Sequence, residues 1–322
     1  MNEAVVPSQS LAQSDGAPIT RRELKALMAR SNRPALLRLP LWYGLLAVTG
    51  LLIWWAMGTW WMMSAMFLHG IIWVHHFSLQ HECIHFTAFR TRKLNEWVAA
   101  WCGFWICVPP VYFRYEHCDH HTHTQVPGRD PELIPLADSV GGHLLYITSI
   151  PYWRAMIGGL VSHALGRLTS TEKRFVPKEE RGAVIREARV FLGLYLGIAA
   201  VMATANWWAP LWYWIVPLLL GEPVMRAIRM TEHVGRPNTR DMTENTRTSL
   251  VAWPWRFLAW NMPFHAEHHF AAAVPFHALP KLHKRLNGQL YFEDGGYAGA
   301  HRDIMGQLTG RRERLGAHVN AG

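Results

Sequence analysis

Charged residues are absent from two long stretches of this sequence. Residues 39–81 contain no Asp, Glu, Lys or Arg, and the same is true of residues 190–221. A helix needs about 20 predominantly apolar residues to cross a bilayer. The first stretch is long enough for two such helices and the second for two shorter ones, so we predict four spans, at about 41–57, 59–78, 190–206 and 211–225. The lack of charge therefore favours an integral membrane protein over a soluble helical core.

Three further features are missing. The four cysteines include no C-x-x-C pair, so the sequence contains no rubredoxin-like site. The first 20 residues hold no basic region followed by an apolar one, and we expect no cleaved signal peptide. No run of Lys and Arg alternates with aromatic residues, which argues against nucleic acid as a partner.

The basic residues predict how the chain is oriented in a membrane. The net charge is +9, and basic residues precede the first predicted span, whereas the turns near residues 58 and 206–210 carry no charge. Loops rich in Lys and Arg stay on the cytoplasmic side. We therefore expect both termini and the long middle segment to be cytoplasmic.

Histidine, in contrast, is abundant and clustered. Chance predicts roughly 0.07 copies of H-x-x-H-H from 19 histidines in 322 residues, and the sequence contains two. Residues three and four apart share one face of a helix, so the histidines of each cluster should converge. Neutral imidazole binds Zn, Fe, Cu and Ni, and eight such groups exceed what one tetrahedral ion needs. Two metal ions are therefore indicated by the three boxes, His81-Glu-Cys-Ile-His85, His117-Cys-Asp-His120-His121 and His265-Ala-Glu-His268-His269.

Two other kinds of metal site share part of this pattern. His81, Glu82 and His85 satisfy H-E-x-x-H, the zinc metalloprotease signature, in which the glutamate is the general base. Ferritin-like di-iron proteins use Glu-x-x-His twice, with two further glutamates. Here that motif occurs once, at Glu82 and His85. Neither alternative accounts for two H-x-x-H-H boxes.

With the hydrophobic pairs between them, the boxes resemble those of the membrane fatty acid desaturase/hydroxylase superfamily. The resemblance covers about residues 40–285. It is strongest to a bacterial branch that includes acyl desaturases and desaturases of specialised metabolites of the rhizobitoxine and rhizopine type. The segments that carry it are His81-Glu-Cys-Ile-His-Phe-Thr-Ala-Phe, His120-His-Thr-His-Thr-Gln-Val-Pro-Gly-Arg-Asp-Pro-Glu and Asn261-Met-Pro-Phe-His-Ala-Glu-His-His.

The resemblance implies a non-haem di-iron centre that uses O2 as co-substrate to remove hydrogen from an unactivated C–H bond. A ninth histidine, His233, lies between the last predicted span and the third box. Acidic residues near the ligands are expected to orient them, namely Glu82, Asp119, Glu232, Glu267 and Asp130. By their positions in the family's motifs, the histidines implied as iron ligands are His81, His85, His117, His120, His121, His233, His265, His268 and His269.

The reaction expected on this resemblance is desaturation of a fatty-acyl chain in the membrane. Hydroxylation, decarboxylation of a free fatty acid to a terminal alkene, and desaturation of a polar specialised metabolite are alternative reactions of such a centre. A membrane metal-binding or transport protein is the alternative outside enzymes. Each turnover needs two electrons, expected from a separate ferredoxin, rubredoxin or cytochrome b5-like carrier that docks on basic residues such as Lys173, Arg174 and Lys178.

Together these features predict an all-α integral membrane fold in a bacterial inner membrane. It would consist of four transmembrane helices, interfacial or re-entrant helices, and a cytoplasmic cap that holds the histidines. Residues 97–113 are expected to form a re-entrant or interfacial element, because a single crossing would separate the first two boxes. We divide the chain into a flexible tail (1–19), a desaturase-like domain (20–287) and a cytoplasmic extension (288–322).

Overall fold

The computed structural model describes residues 19–286 and 288–314, so the predicted tail before residue 19 and the last eight residues of the extension lie outside it. Its secondary structure is almost entirely helical, which confirms the predicted helical fold. The two strands, β1 (Thr248–Ser249) and β2 (Phe292–Glu293), pair in parallel. The helices are α1 (Arg21–Leu27), α2 (Arg33–Ala56), α3 (Trp61–Val74), α4 (His76–Ile84), α5 (Arg92–Ile106), α6 (Pro110–His123), α7 (Val140–Ile147), α8 (Ile150–Ala164), α9 (Glu172–Phe175), α10 (Arg181–Thr204), α11 (Val216–His233), α12 (Trp253–Leu258), α13 (His265–Phe270), α14 (Leu279–Leu286) and α15 (Gly296–Leu308).

Two helices in the described part of the chain are long and apolar enough to cross a membrane. One is α2, and the other is Leu211–His233, in which a π-helical turn leads into α11. The predicted count of four spans is not confirmed. The second predicted span is divided at His75, where α3 ends after 14 residues and α4 begins. The third lies mostly in α10, which ends at Thr204 and whose first turns carry the charged residues Arg181, Arg186, Glu187 and Arg189.

Large apolar side chains cover the outer surface of the long helices. Because a soluble monomer rarely exposes a large contiguous apolar patch, this surface is typical of one that faces lipid. Exposed tryptophans lie at the turns that join the helices, where an interfacial aromatic belt is expected. The exposed residues include Leu37, Leu41, Trp54, Trp55, Leu194 and Leu196 on the helices and Trp60, Trp207 and Trp208 at the turns.

α3 and α11 pack closely because two glycines meet where they cross. A Cβ atom on Gly70 would collide with the Pro217 carbonyl, and one on Gly221 would collide with the backbone of Gly70. Small residues allow this backbone approach between helices in a membrane. The contact fixes α11, which ends at His233, relative to α3, which leads into the helix with the first histidine box.

The segment expected to be re-entrant is a helix followed by a sharp turn. α5 packs against α4, and Cys107 then adopts a left-handed conformation (φ 62°). Pro109 precedes α6, and Pro110 is its first residue, where proline is well tolerated. The turn directs α6 back toward α4, so the second histidine box lies beside the first.

Both ends of the described chain pack onto the cap. Thr20 and Glu23 form a capping box at the start of α1, and Leu24 of α1 joins an apolar cluster with Leu279 and Leu282 of α14. α15 contacts α11 and β1, and its Asp303 accepts a hydrogen bond from Arg247 Nη2 at 3.0 Å. The boundary expected at residue 288 is therefore spanned by contacts, and its cytoplasmic location stays a prediction.

Candidate metal centre

Four helices bring the nine predicted ligands together. Each box lies on a short helix or at its end, with its histidines three or four residues apart, and His233 is the last residue of α11. Eight of the nine side chains are buried, and His85 is partly exposed. The first box is on α4, with His85 at its end, the second on α6, and the third on α13.

Five histidines from the three boxes form one group. The nearest ring nitrogens of His81, His85, His117, His121 and His268 all lie within 4.8 Å of one another. The His81 and His117 Nε2 atoms are 2.7 Å apart, and those of His121 and His268 are 3.0 Å apart. Nitrogens from three separate helices thus converge on a single small volume.

The other four histidines form a second group beside the first. Ring nitrogens of His120, His233 and His269 lie within 4.8 Å of one another. His265 Nε2 is 3.0 Å from His233 Nε2 and 3.1 Å from His269 Nε2. Rings of the two groups are in contact, with the His121 and His269 centroids 4.2 Å apart. Two adjacent groups are the arrangement that two metal ions require.

The chemistry of these groups fits transition-metal ions. Burial lowers the pKa of His81, His121 and His268 well below its ordinary value, and neighbouring imidazoles lower it further. The rings are therefore neutral and carry free lone pairs. Buried Nε2 atoms of His85 and His120 have no hydrogen-bond partner among the described residues. Imidazole suits iron and zinc rather than calcium or magnesium, so the residues present fit a pair of iron ions.

Two carboxylates fix the orientation of rings in the second box. Asp130 Oδ1 is 2.8 Å from His120 Nδ1, as expected for an acid that orients a ligand. Glu132 Oε1 is 2.7 Å from His117 Nδ1, a contact that the sequence reasoning missed. Both residues flank Pro131, shortly after the second box in the sequence. Two acids so close to a histidine box could have indicated that both contact its rings.

The acids that directly neighbour ligands in the sequence behave differently. Only Glu232 approaches a ligand atom, with Oε2 3.6 Å from His265 Nε2. Glu82 accepts hydrogen bonds from Thr87 Oγ1 and the Phe276 backbone N–H, and burial raises its pKa to about 7. Asp119 pairs with Arg174, and Glu267 with His283. The expectation that Glu82, Asp119 and Glu267 orient ligand rings is therefore wrong.

This geometry argues against the protease alternative. A zinc protease would join His81 and His85 to one further ligand and direct Glu82 at a bound water. Instead, His81 and His85 are grouped with three histidines of the other boxes, and the Glu82 carboxylate is bound by Thr87 and Phe276.

A cavity lies next to the place where the two histidine groups meet. It is narrow, with a volume of about 20 Å³, and part of it is open to solvent. His81 of the first group and His265 of the second form one wall. The rest of the wall is mixed. Arg229, Glu232 and Arg247 contribute charged groups, and the apolar part comes from Phe77, Met225, Ile228, Ala259, Met262 and Pro263. An apolar ligand in this cavity would touch both groups.

Comparison with known proteins supports the same conclusion. No curated protein matches the sequence. A protein-family model described as "Fatty acid desaturase" matches residues 58–300, which is well over half of the chain and includes all nine histidines. The chain therefore belongs to the fatty acid desaturase family.

Proposed function

We propose that this protein is an O2-dependent non-haem di-iron desaturase that introduces a C=C bond into a fatty-acyl chain in the membrane. The single observation that carries the proposal is the pair of adjacent histidine groups in a member of the fatty acid desaturase family. When bound, iron supplies the redox chemistry that lets O2 remove hydrogen from unactivated C–H bonds.

In this proposal each group holds one iron. His81, His85, His117, His121 and His268 would hold the first. His120, His233, His265 and His269 would hold the second. Burial favours the neutral form of eight of these imidazoles, all but His120. Glu132 and Asp130 fix His117 and His120.

The cavity beside the groups is the proposed place for the reacting part of the acyl chain. Its apolar residues, including Phe77, Met225 and Met262, would hold methylene groups against His81 and His265 once the cavity widens to admit the chain. O2 is reduced to two waters, with two electrons from the substrate C–H bonds and two from a donor. Hydroxylation, decarboxylation of a free fatty acid to a terminal alkene, and desaturation of a polar specialised metabolite are the alternative reactions.

We also propose that four segments cross the membrane, at about residues 41–57, 59–78, 190–206 and 211–225, with the histidine boxes and His233 beyond their ends. Single cysteines test this arrangement. In intact cells a membrane-impermeant thiol reagent should label Thr59→Cys and Ala205→Cys, which lie at exposed turns, above the level of the unmutated protein. Asp138→Cys in the middle segment should stay unlabelled until the membrane is permeabilised. The opposite pattern would reverse the orientation.

A separate, acidic electron carrier is the proposed partner. Lys173, Arg174 and Lys178 are exposed, and Arg174 Nη2 lies 3.0 Å from Asp119 Oδ2 on the helix of the second box. A carrier bound there would stand close to the second box. Replacing Lys173 and Lys178 by Glu should raise the KM for the carrier most strongly at low ionic strength, because screening weakens surface charges.

The main test is metal content together with product analysis. Protein purified from membranes should contain two irons per chain, and cells that express it with ferredoxin and a reductase should accumulate unsaturated acyl chains. The His121→Ala variant, purified in the same way, should lack the two irons, and cells that express it should not accumulate unsaturated acyl chains. One zinc and no iron in the purified protein would contradict the proposal. Hydroxylated or alkene products would instead identify one of the alternative reactions.

A further inference from the structure

One arginine contacts both sides of the histidine cluster. Arg229 lies on α11, one helical turn before His233, and its side chain is buried. Its Nη2 atom is 2.7 Å from Glu132 Oε2, and its Nη1 atom is 2.8 Å from Glu232 Oε2. The guanidinium also stacks over the Phe77 ring, 4.9 Å from the ring centroid, one turn before His81.

The two carboxylates lead to different histidine groups. Glu132 Oε1 contacts His117 Nδ1 at 2.7 Å, and His117 belongs to the first group. Glu232 Oε2 lies 3.6 Å from Nε2 of His265, which packs with the second group. Close polar contacts therefore run from His117 through Glu132 and Arg229 to Glu232, which lies near His265 but beyond hydrogen-bond distance of it.

Without the Arg229 guanidinium, Glu132 and Glu232 would lose the cation that holds them in place. Two buried carboxylates would face each other without a cation, and removing one partner of a buried ion pair is strongly destabilising. Glu132 is also close enough to His117 and His120 for the three to hold a metal ion themselves. Arg229 occupies the second oxygen of this carboxylate and so keeps it bound to the ring rather than to a metal.

We propose that Arg229 is a positioning residue that couples the two metal-binding groups, by holding Glu132 against His117 and by pairing with Glu232 beside His265. The inference rests on the proposed binding of two irons. Loss of Arg229 then releases both carboxylates and disturbs ligands of both groups at once. The two irons should be lost together, and a variant that keeps a cation at this position should retain more iron than one that does not.

A second buried arginine on the same helix provides a matched control. Arg226 lies about one turn earlier, is equally buried, and pairs with Glu222 at 2.7 Å. It stacks on Tyr152 at 3.8 Å from the ring centroid and does not take part in the contacts that run from His117 to Glu232. Arg229→Met and Arg226→Met each remove one buried guanidinium, so both should lower the stability of the iron-free protein. The loss should be larger for Arg229→Met, which leaves two carboxylates unpaired rather than one.

The experiment compares Arg229→Met, Arg229→Lys and Arg226→Met with the unmutated protein. Iron per chain and the rate of iron loss to a chelator are measured alongside thermal unfolding of the iron-free forms. We expect Arg229→Met to lose iron roughly 10–100 times faster, the range typical for residues that orient metal ligands. Arg229→Lys should lie in between, and Arg226→Met should retain iron like the unmutated protein.

Equal iron retention in Arg229→Met and the unmutated protein would overturn the inference, and so would equal iron loss in Arg226→Met. If Arg229→Met does not reach the membrane, iron retention is measured in Arg229→Lys and Glu132→Gln instead. Iron retention equal to that of the unmutated protein in both variants would overturn the inference. Unmutated protein that binds no iron would instead contradict the proposed function, so the two failures are distinguishable.

Discussion

At the scale of single residues, the two nitrogens of a histidine ring have separate tasks. In His117 the Nδ1 atom faces Glu132, and Nε2 faces His81 and His121. A neutral ring has one N–H, so a carboxylate at Nδ1 leaves the Nε2 lone pair free for a metal. Burial lowers the pKa of His120, but Glu132 and Asp130 outweigh it, and the net shift is upward. These acids make both rings more basic ligands.

The first residue-scale prediction concerns Asp130. Asp130→Asn should weaken iron binding about 10–100-fold, because an amide stabilises the oriented His120 ring less than a carboxylate does. Iron titration of the metal-free protein measures this effect. Glu82→Gln is the control and should change iron affinity little, since Glu82 contacts Thr87 and Phe276 rather than a ligand. Complete loss of function in Glu82→Gln with unchanged metal would instead point to the protease chemistry.

The second residue-scale prediction concerns His233. His233→Ala should lower iron content as much as His269→Ala, because both rings belong to the second group. Metal analysis of protein purified from membranes is the measurement. His143→Ala and His163→Ala are matched controls, since both rings are buried, but His143 packs near His301 and His163 pairs with Glu172. Full iron content in His233→Ala would remove it from the ligands and leave the eight box histidines.

At the scale of elements, the crossing of α3 and α11 determines where His233 lies. α3 leads into the helix of the first box, and α11 ends at the ninth histidine. Their contact at Gly70 and Gly221 is therefore a structural link between the two histidine groups as well as a packing contact. A larger side chain at either glycine should displace α11 and, with it, His233.

The prediction at this scale is that Gly70→Ala destabilises the fold. Its Cβ would collide with the Pro217 carbonyl, and overpacking of this kind costs about 1–3 kcal/mol. Thermal unfolding in detergent should show a lower midpoint, and iron content should fall as α11 is displaced. Gly158→Ala on α8 is the control, because no atom lies within 4 Å of the added Cβ. Alanine there should be neutral or stabilising by up to about 1 kcal/mol. Equal effects at both positions would contradict the close approach.

At the scale of the whole molecule, metal would connect segments that are distant in sequence. The first group joins residues of α4, α6 and α13, and the second joins α6, α11 and α13. A ligand that binds only the folded state stabilises it, by about 2.7 kcal/mol when present at 100 times its Kd. The cap should therefore depend on iron more than the membrane helices do.

The corresponding prediction is a metal-dependent shift in stability. Removing iron with a chelator should lower the unfolding midpoint, and adding ferrous iron under anaerobic conditions should restore it. A variant with both His121→Ala and His269→Ala should show no such shift, because each group has lost a ligand. Proteolysis should cleave the iron-free cap before the membrane helices. An unchanged midpoint after complete iron removal would contradict a structural role for the metal.

The sequence by itself determined the features that depend on local spacing. Histidines three or four residues apart share a helix face wherever the helix lies, so each box could be recognised before the fold was known. The two uncharged stretches likewise indicated long apolar helices without any knowledge of their packing. His233 was found because it follows the last apolar stretch and precedes the third box.

Only the tertiary structure decided which distant residues complete the site. Adjacent residues on a helix point in different directions, so Glu82 and Glu267 beside the ligands turn toward Thr87 and His283 instead. Glu132 reaches His117 because the chain folds back after the second box, and Arg229 joins it from another helix. The break at His75 also shortened a predicted span. These contacts depend on how helices pack, which residue spacing along one chain does not specify.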